Sequence, residues 1–304
     1  MAAAAQLSGG RLHLSDGPID LVIKAVGYGV AVERAYAAAS RRFEGLLAEL
    51  VAELPLLRAR LGAELPPLRG PIARRMAEAA WPYRARFVTP MVAVAGAVAE
   101  AVLAAMVEAA PLRRAFVNDG GDIALHLAEG EHMHVGVVRS LAEARPEAKM
   151  RIAAHDAVRG IATSGRHGRS FSLGIADAVT VLARRAADAD AAATLIANAV
   201  DVADPAISRR PARDLDPDSD LQDLEVTVAV GPLQEAKIAA ALAAGRAYAE
   251  RLIAEGRIEG ALISLAGRWQ SLGAAERRLS ASAASVTDTN GKIGAPFPGP
   301  CSEG

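Results

Sequence analysis

The sequence NDGGDI at residues 118–123 separates two apolar runs that have the composition of β-strands. Gly120 and Gly121 permit positive φ angles and leave backbone N–H groups free to face an anion. Asn118 and Asp119 can cap the turn, and Asp122 can accept a hydrogen bond from a ligand hydroxyl or face a metal ion. On its own the stretch favours an ordinary hairpin turn, because Asp-Gly and Gly-Gly are common turn formers.

A second motif, ADAAAT at residues 189–194, opens a helical run after a strand-like segment. Helical spacing places Asp190 and Thr194 within about 40° of each other and returns Asp201 to the same face. Magnesium takes oxygen ligands and commonly uses one or two carboxylates together with substrate phosphates. Spacing alone favours a solvated polar face, whereas the two motifs together predict a site for a phosphate-containing ligand held with a divalent metal.

The segment between the two motifs is rich in groups that bind phosphate. Residues 163–172 read TSGRHGRSFS. Arg166 and Arg169 can form bidentate hydrogen bonds with phosphate, while Ser164 and Gly165 can supply a hydroxyl and a backbone N–H. The alternative is a flexible surface loop, anchored where the apolar run resumes.

Composition limits the classes of partner. Of 304 residues, 52% are hydrophobic, which is enough to build one domain or two closely packed halves. The 34 basic and 35 acidic residues are scattered and aromatics make up only 4%, so we expect no nucleic-acid partner. The only cysteine, Cys301, excludes a disulfide within the chain and argues against a thiolate metal site.

Targeting segments are not evident either. Residues 1–10 lack the charged and apolar regions of a signal peptide. The longest uncharged apolar stretch, residues 87–99, is shorter than the about 20 residues that cross a bilayer. We therefore expect a cytoplasmic protein without a membrane partner.

Periodicity divides the N-terminal part into a hairpin and helices. Residues 11–14 and 19–26 flank a turn, and an apolar stripe from Val32 to Leu54 predicts one long helix. Thr89 is predicted to be the N-cap of a helix that runs through Ala110. Its small side chains favour a core position, and a contact in a homo-oligomer stays open as the alternative.

The middle and the C-terminal part combine strands and helices without strict βαβ alternation, which predicts an α+β or mixed α/β fold. Strands are expected at residues 114–117, 122–127, 132–138, 151–154, 160–163, 179–182, 224–230 and, last, 258–265. Helices are expected at residues 188–202 and 234–255, with a loop at 208–220. We expect a single domain over residues 1–280 and a disordered tail over residues 281–304.

Three histidines offer a different metal site. His132 and His134 share one face of a predicted strand, and His126 can lie across a hairpin from them, as in a zinc site. No fourth ligand is evident, so ordinary strand histidines are the favoured interpretation.

The order of these pieces resembles the ApbE-like family of FAD:protein FMN transferases, well over residues 90–202 and in outline in the flanks. The matching residues are Asn118, Gly120, Gly121, Asp122, Ile123, Thr163, Ser164, Gly165, Val179, Thr180, Val181, Ala189, Asp190, Ala191, Ala193 and Thr194. The resemblance implies an ApbE-like fold, with mixed sheets flanked by helices. It implies a flavin nucleotide (FAD or FMN) at Gly120, Gly121 and Asp122, and magnesium at Asp190 and Thr194.

The reaction that the resemblance implies is attack by a target hydroxyl on the FAD pyrophosphate, which releases AMP. One family segment, HIxDPxTG, is absent, because residues 170–178 read SFSLGIADA. Asp177 can stand in for its acid, while His167 lies on the wrong side to replace its histidine. The chain therefore resembles a side branch of the family.

The sequence thus predicts a flavin- or nucleotide-binding protein that uses magnesium for FMN or nucleotidyl transfer or for pyrophosphate cleavage. The alternatives are a non-catalytic module that binds a flavin or a small anionic metabolite, and an enzyme that uses the same cleft on an unrelated small substrate. Candidate catalytic residues are Asp177, Arg166 and His167. Candidate ligand-binding residues are Asn118, Gly120, Gly121, Asp122, Ser164, Gly165 and Arg169, and the metal candidates are Asp190 and Thr194.

Overall fold

The computed structural model of the protein describes residues 2–137 and 148–281. The predicted disordered tail lies outside these residues, apart from residue 281, which ends a strand. The single-domain assignment over residues 1–280 stays a prediction.

A nine-stranded sheet forms the centre of the molecule. Its strands, in spatial order, are β1 (Ala3–Leu7), β2 (Arg11–Asp16), β3 (Ile19–Gly27), β4 (Leu112–Asp119), β5 (Asp122–Leu127), β8 (Gly160–Ser164), β9 (Ala178–Ala183), β12 (Gly260–Leu265) and β13 (Arg268–Gly273). A three-stranded sheet contains β6 (His132–Val137), β7 (Ala148–Ala153) and β14 (Leu279–Ala281), and a two-stranded one contains β10 (Ile207–Pro211) and β11 (Glu225–Val230). Every strand pair that the structure describes is antiparallel.

Eight α-helices are described with these sheets. They are α1 (Ala31–Phe43), α2 (Leu46–Val51), α3 (Leu54–Leu57), α4 (Pro71–Ala80), α5 (Val94–Ala109), α6 (Ala186–Ala199), α7 (Glu235–Ala254) and α8 (Ala274–Arg278). Short 3₁₀ helices occupy Trp81–Tyr83, Pro90–Ala93 and Ala212–Asp214. Antiparallel sheets with separate helices confirm the predicted α+β class.

The middle strands of the central sheet bury both faces. Alternation along β5 directs Ala124 into the larger core, which also contains side chains of α1, α4, α5 and α6. Ile123, Leu125 and Leu127 enter a second core with Met150 and neighbouring residues of the three-stranded sheet. Side chains two apart on a strand share a face, so this one strand supports both layers.

Helix α5 is buried rather than peripheral. The segment Pro90–Ala109 is long and apolar enough to cross a membrane, judged by length and composition alone. The uncharged stretch at residues 87–99 was too short to suggest this. More than half of the segment is buried, and α5 packs against α1, α6, β4 and β5. This packing agrees with the predicted core position.

Several predicted boundaries are wrong. The long helix ends at Phe43, because Gly45 adopts a φ of +74° that a continuous helix does not permit. The predicted loop at residues 208–220 begins with β10, and two strands follow the one predicted to be last. Thr89 does occupy the predicted N-cap position before Pro90, but its hydroxyl donates to Asp220 at 2.5 Å and makes no capping bond.

Candidate functional site

A cavity of about 680 Å³ lies where the β4–β5 turn, the loop after β8, α2 and α3, and the start of α5 meet α6. One part of its lining is polar and contains Asp119, Gly120, Asp122, Thr163, Ser164, Gly165, Arg169, Asp190 and Thr194. Another part is apolar and contains Leu47, Leu50, Val51, Leu54, Leu57, Met76 and Met91. The two sequence motifs, about seventy residues apart, therefore open onto one amphipathic space.

The β4–β5 turn presents Gly120 to this cavity. Gly120 and Gly121 adopt φ angles of +62° and +118°, which glycine tolerates without the strain of a Cβ atom. The Asn118 Oδ1 atom accepts a hydrogen bond from the Gly121 N–H at 2.9 Å and so closes the turn. Asn118 and Gly121 shape the turn without lining the cavity.

Asp122 connects the turn to the next strand of the sheet. Its Oδ1 atom accepts a hydrogen bond from the Thr163 N–H at 3.2 Å. Burial raises the pKa of Asp122 well above its usual value, and the negative charges of Asp190 and Asp119 raise it further. A cation placed beside these carboxylates would relieve that repulsion.

Asp190 faces the cavity from the first half of α6. Its Oδ2 atom accepts a hydrogen bond from the Gly96 N–H at 2.9 Å, and burial still raises the pKa of the carboxyl group. Ala187 and Ala193, about one turn before and after it, are buried, so a solvated polar face is wrong for this part of α6. Thr194 lies one turn further on, with its hydroxyl 3.3 Å from the Ser164 hydroxyl.

Asp201 does not share this face. It follows the end of α6 and pairs with Arg209 at 2.5 Å, so its predicted return to the Asp190 face is wrong. The helix ends two residues too early for the 100° periodicity to apply.

The donor set fits a hard cation. Asp122, Asp190, Thr194 and Ser164 offer only oxygen atoms, which magnesium prefers, and a bound phosphate would supply further ligands. Over residues 2–137 and 148–281, no three His, Cys, Asp or Glu side chains form a metal-binding group. A cation here would therefore depend on hydroxyl, water or ligand oxygens.

The three strand histidines do not converge on a metal site. His126 Nε2 lies 3.0 Å from the Leu112 carbonyl oxygen, on the central sheet. His132 and His134 lie on the three-stranded sheet, with their rings edge to face and the ring centroids 5.4 Å apart. Ordinary strand histidines are the interpretation that the geometry favours.

Asp119 was assigned only to capping the turn, and its place in the cavity lining was missed. It ends β4, pairs with Asp122 across the hairpin and lines the cavity with only 6% of its surface exposed. Burial raises the pKa of Asp119 to about 7, against an opposing effect of the nearby Arg169 guanidinium. The acidic residue on either side of the glycine pair was the available signal, since hairpin pairing brings the two together.

The loop after β8 contributes only part of its predicted residues. Ser164, Gly165 and Arg169 line the cavity, and the Arg169 Nη2 atom donates to the Pro18 carbonyl at 3.4 Å. A ligand in the cavity could reach all three residues, and their roles in binding stay predictions.

Arg166, His167 and Asp177 lie outside the cavity lining. The Arg166 Nε and Nη2 atoms donate to Asp177 Oδ1 at 2.9 and 2.6 Å, and the Ala266 N–H donates to Oδ2 at 2.6 Å. His167 Nε2 is 3.6 Å from the same carboxylate. The three residues anchor the loop to β12 and its turn, so the geometry gives no support to their predicted catalytic roles.

The apolar wall was also missed, because the long helix predicted from Val32 to Leu54 concealed it. The positive φ of Gly45 redirects the chain, so that α2 and α3 place Leu50, Leu54 and Leu57 beside the cavity. The apolar stripe continues across the break, and periodicity alone therefore does not reveal it.

Fold and cavity together define an α+β protein with an amphipathic cavity lined by carboxylates. The sequence model of the family described as AbpE bacteria matches residues 3–271, and the chain belongs to that family. This membership confirms the resemblance to ApbE-like proteins.

Individual relatives match over shorter stretches. The chain is similar to the UPF0280 protein of Methanothrix thermoacetophila, with 40% identity over 133 residues, 43% of this chain and 52% of that protein. It is also similar to the UPF0280 protein of Archaeoglobus fulgidus, with 36% identity over 131 residues, 43% of this chain and 51% of that protein. The chain spans about half the length of the curated relatives it matches.

A solved structure gives a weak likeness. The apo form of the flavinyl transferase ApbE from Pseudomonas stutzeri aligns over 90% of this chain and 93% of its own, with 12% identity and a TM-score of 0.41. A likeness of this size carries no information on activity.

Proposed function

We propose that the protein binds FAD with magnesium in this cavity and transfers the FMN group from FAD to a hydroxyl, releasing AMP. The observation that carries the proposal is the convergence of Gly120, Asp122, Asp190 and Arg169 on one amphipathic cavity. Its volume of about 680 Å³ lies within the about 300–1,000 Å³ usual for small-molecule pockets. Membership of an ApbE-related family favours a flavin among such ligands.

The two parts of the lining suit the two parts of such a ligand. Leu50, Leu54 and Met91 offer an apolar surface for the aromatic ring system. Asp122 and Asp190, with hydroxyl groups beside them, would hold magnesium against the pyrophosphate. The metal, when bound, offsets the charge that develops on the phosphate oxygens.

The transfer needs a nucleophile and a base. The attacking hydroxyl oxygen forms a bond to the FMN phosphorus, and the bond from that phosphorus to the bridging oxygen breaks, so that AMP leaves. Among the described lining residues the side-chain bases are carboxylates, and Asp119, with a pKa of about 7, is suited to accept the hydroxyl proton near neutral pH.

A non-catalytic flavin-binding module is the second candidate. It is favoured by the absence of the HIxDPxTG segment and by the engagement of Asp177 with Arg166 and the Ala266 N–H, away from the cavity. In that case the cavity would hold the ligand without turning it over.

Incubation with FAD and magnesium, followed by chromatographic measurement of AMP, distinguishes these candidates. We expect AMP from the wild type and from Asp188→Asn, a control on α6 whose side chain pairs with Arg185. We expect loss of AMP from Asp119→Asn and Asp190→Asn. Bound FAD without AMP would favour the module, and the absence of FAD binding by the wild type would overturn the proposal.

A further inference from the structure

Two arginines line the cavity without a carboxylate at ion-pair distance, although Arg169 lowers the pKa of Asp119 through space. Arg58 directly follows α3, and Arg169 lies in the loop after β8. Across residues 2–137 and 148–281, neither guanidinium lies in an ion pair, and the hydrogen bond to Pro18 is the one that Arg169 makes. Arg166, three residues earlier, shows the contrast, because Asp177 neutralises it at 2.6 Å. Unpaired guanidinium groups beside a cavity are suited to bind a phosphate or carboxylate.

The carboxyl groups of the lining offer an anion no attraction. Asp119, Asp122 and Asp190 are neutral when protonated, and ionisation of any of them adds a negative charge to the cavity. An anionic group can therefore bind there only beside a metal ion or beside the two arginines. The arginines, unlike the carboxylates, need no metal to attract it.

Arg58 also continues the apolar wall. Leu50, Leu54 and Leu57 line the cavity immediately before it, so one segment offers an apolar surface that ends in a cation. This segment owes its position to the break at Gly45 and lies outside residues 90–202, where the sequence motifs occur. An aromatic ring with a phosphorylated side chain matches this order of groups.

We propose that Arg58 and Arg169 together bind a phosphate of the ligand and select phosphorylated flavins over riboflavin. This inference rests on the proposed function, but it assigns the selectivity to guanidinium groups rather than to the metal. The selectivity for FMN over riboflavin therefore persists without magnesium and depends on both arginines.

Fluorescence titration of riboflavin, FMN and FAD in EDTA tests the inference. We expect the wild type to bind FMN at least about tenfold more tightly than riboflavin, since hydrogen bonds to charged groups commonly contribute that much. Arg58→Gln and Arg169→Gln should each weaken FMN binding about five- to tenfold and leave riboflavin binding unchanged. Arg60→Gln is the matched control, because Arg60 stacks on Phe87 and lines a different pocket.

The double variant, with Arg58→Gln and Arg169→Gln together, is compared with the wild type for its affinity for FMN relative to riboflavin. Both arginines are exposed, so their replacement should leave the melting temperature within a degree or two of the wild type. We expect an FMN-to-riboflavin affinity ratio near one; a ratio unchanged from the wild type overturns the inference.

If the wild type binds no flavin, the proposed function is overturned, but the inference about the two arginines can still be tested. Inorganic pyrophosphate then becomes the probe, with thermal stabilisation as the measurement. Stabilisation of the wild type that is lost in the double variant would support the anion site. No stabilisation, or equal stabilisation of both proteins, would contradict it.

Discussion

Asp190 on α6 accepts a hydrogen bond from the backbone N–H of Gly96 in the first turn of α5, at 2.9 Å. Glu100 on α5 reciprocates by accepting from the Ala187 N–H in the first turn of α6, at 3.0 Å. Each helix thus satisfies an N–H group that the other cannot bond within its own turn. A Cβ atom on Gly96 would lie 2.3 Å from the Ala186 carbonyl, which shows how closely the helices approach. The metal candidate Asp190 is consequently also a structural residue.

This double role predicts that Asp190→Ala and Asp190→Asn differ in stability. Asparagine keeps an oxygen acceptor for the Gly96 N–H, whereas alanine leaves it unpaired. We expect the alanine variant to have a free energy of unfolding about 1 kcal/mol lower than the asparagine variant, as for other helix N-terminal acceptors. Urea denaturation measures this difference, and equal stability would show that the hydrogen bond contributes nothing.

Substitution of Gly120 by alanine is expected to weaken FAD binding, whereas the same substitution of Gly130 is not. Both glycines have positive φ, +62° and +76°. Alanine at either position should therefore lower the free energy of unfolding by about 1 kcal/mol. A Cβ atom on Gly120 would lie 3.3 Å from Arg169 Nη1, while nothing lies within 4 Å of one on Gly130. We expect Gly120→Ala alone to weaken FAD binding, measured by titration; equal affinities of the two variants would contradict a role for this turn.

Asp119 gives a prediction about pH. Its folded-state pKa of about 7 exceeds the unfolded value, so the native state is favoured below the unfolded pKa and loses stability as pH rises through 7. Each pKa unit corresponds to about 1.4 kcal/mol. The melting temperature of Asp119→Asn relative to the wild type should therefore increase between pH 5 and pH 8.5. A difference that stays constant with pH would mean that the carboxyl group titrates normally.

Sequence alone predicted the parts of the site that are local. The hairpin around Gly120 and the helix containing Asp190 follow from turn chemistry and from 3.6-residue periodicity. Their common cavity was inferred from the pairing of the motifs. The wall formed by α2 and α3 escaped prediction because Gly45 interrupts a helix without interrupting its apolar stripe.

Other parts depend on contacts distant in sequence. Asp177 was a catalytic candidate because it can stand in for a family acid, yet its partners Arg166 and the Ala266 N–H are set by the pairing of β9 with β8 and with β12. The cytoplasmic location, the oligomeric state and the lack of nucleic-acid or membrane partners stay predictions.

The anchoring role of Asp177 is open to a direct test. Asp177→Asn weakens the bonds with Arg166 and the Ala266 N–H, and we expect it to lower the free energy of unfolding by about 1–3 kcal/mol. The pH dependence of AMP release should keep the wild-type midpoint. A variant of normal stability with a shifted midpoint in the pH dependence of AMP release would instead indicate that Asp177 takes part in the reaction.

The central claim is that the two motifs bind one flavin nucleotide through a shared metal ion. Calorimetric titration with FAD, in magnesium and in EDTA, tests it most directly in the wild type, Asp190→Asn and Asp188→Asn. The account predicts that binding weakens at least about tenfold in EDTA, and equally in Asp190→Asn with magnesium, while Asp188→Asn behaves as the wild type. Equal FAD affinity in all of these conditions would contradict it.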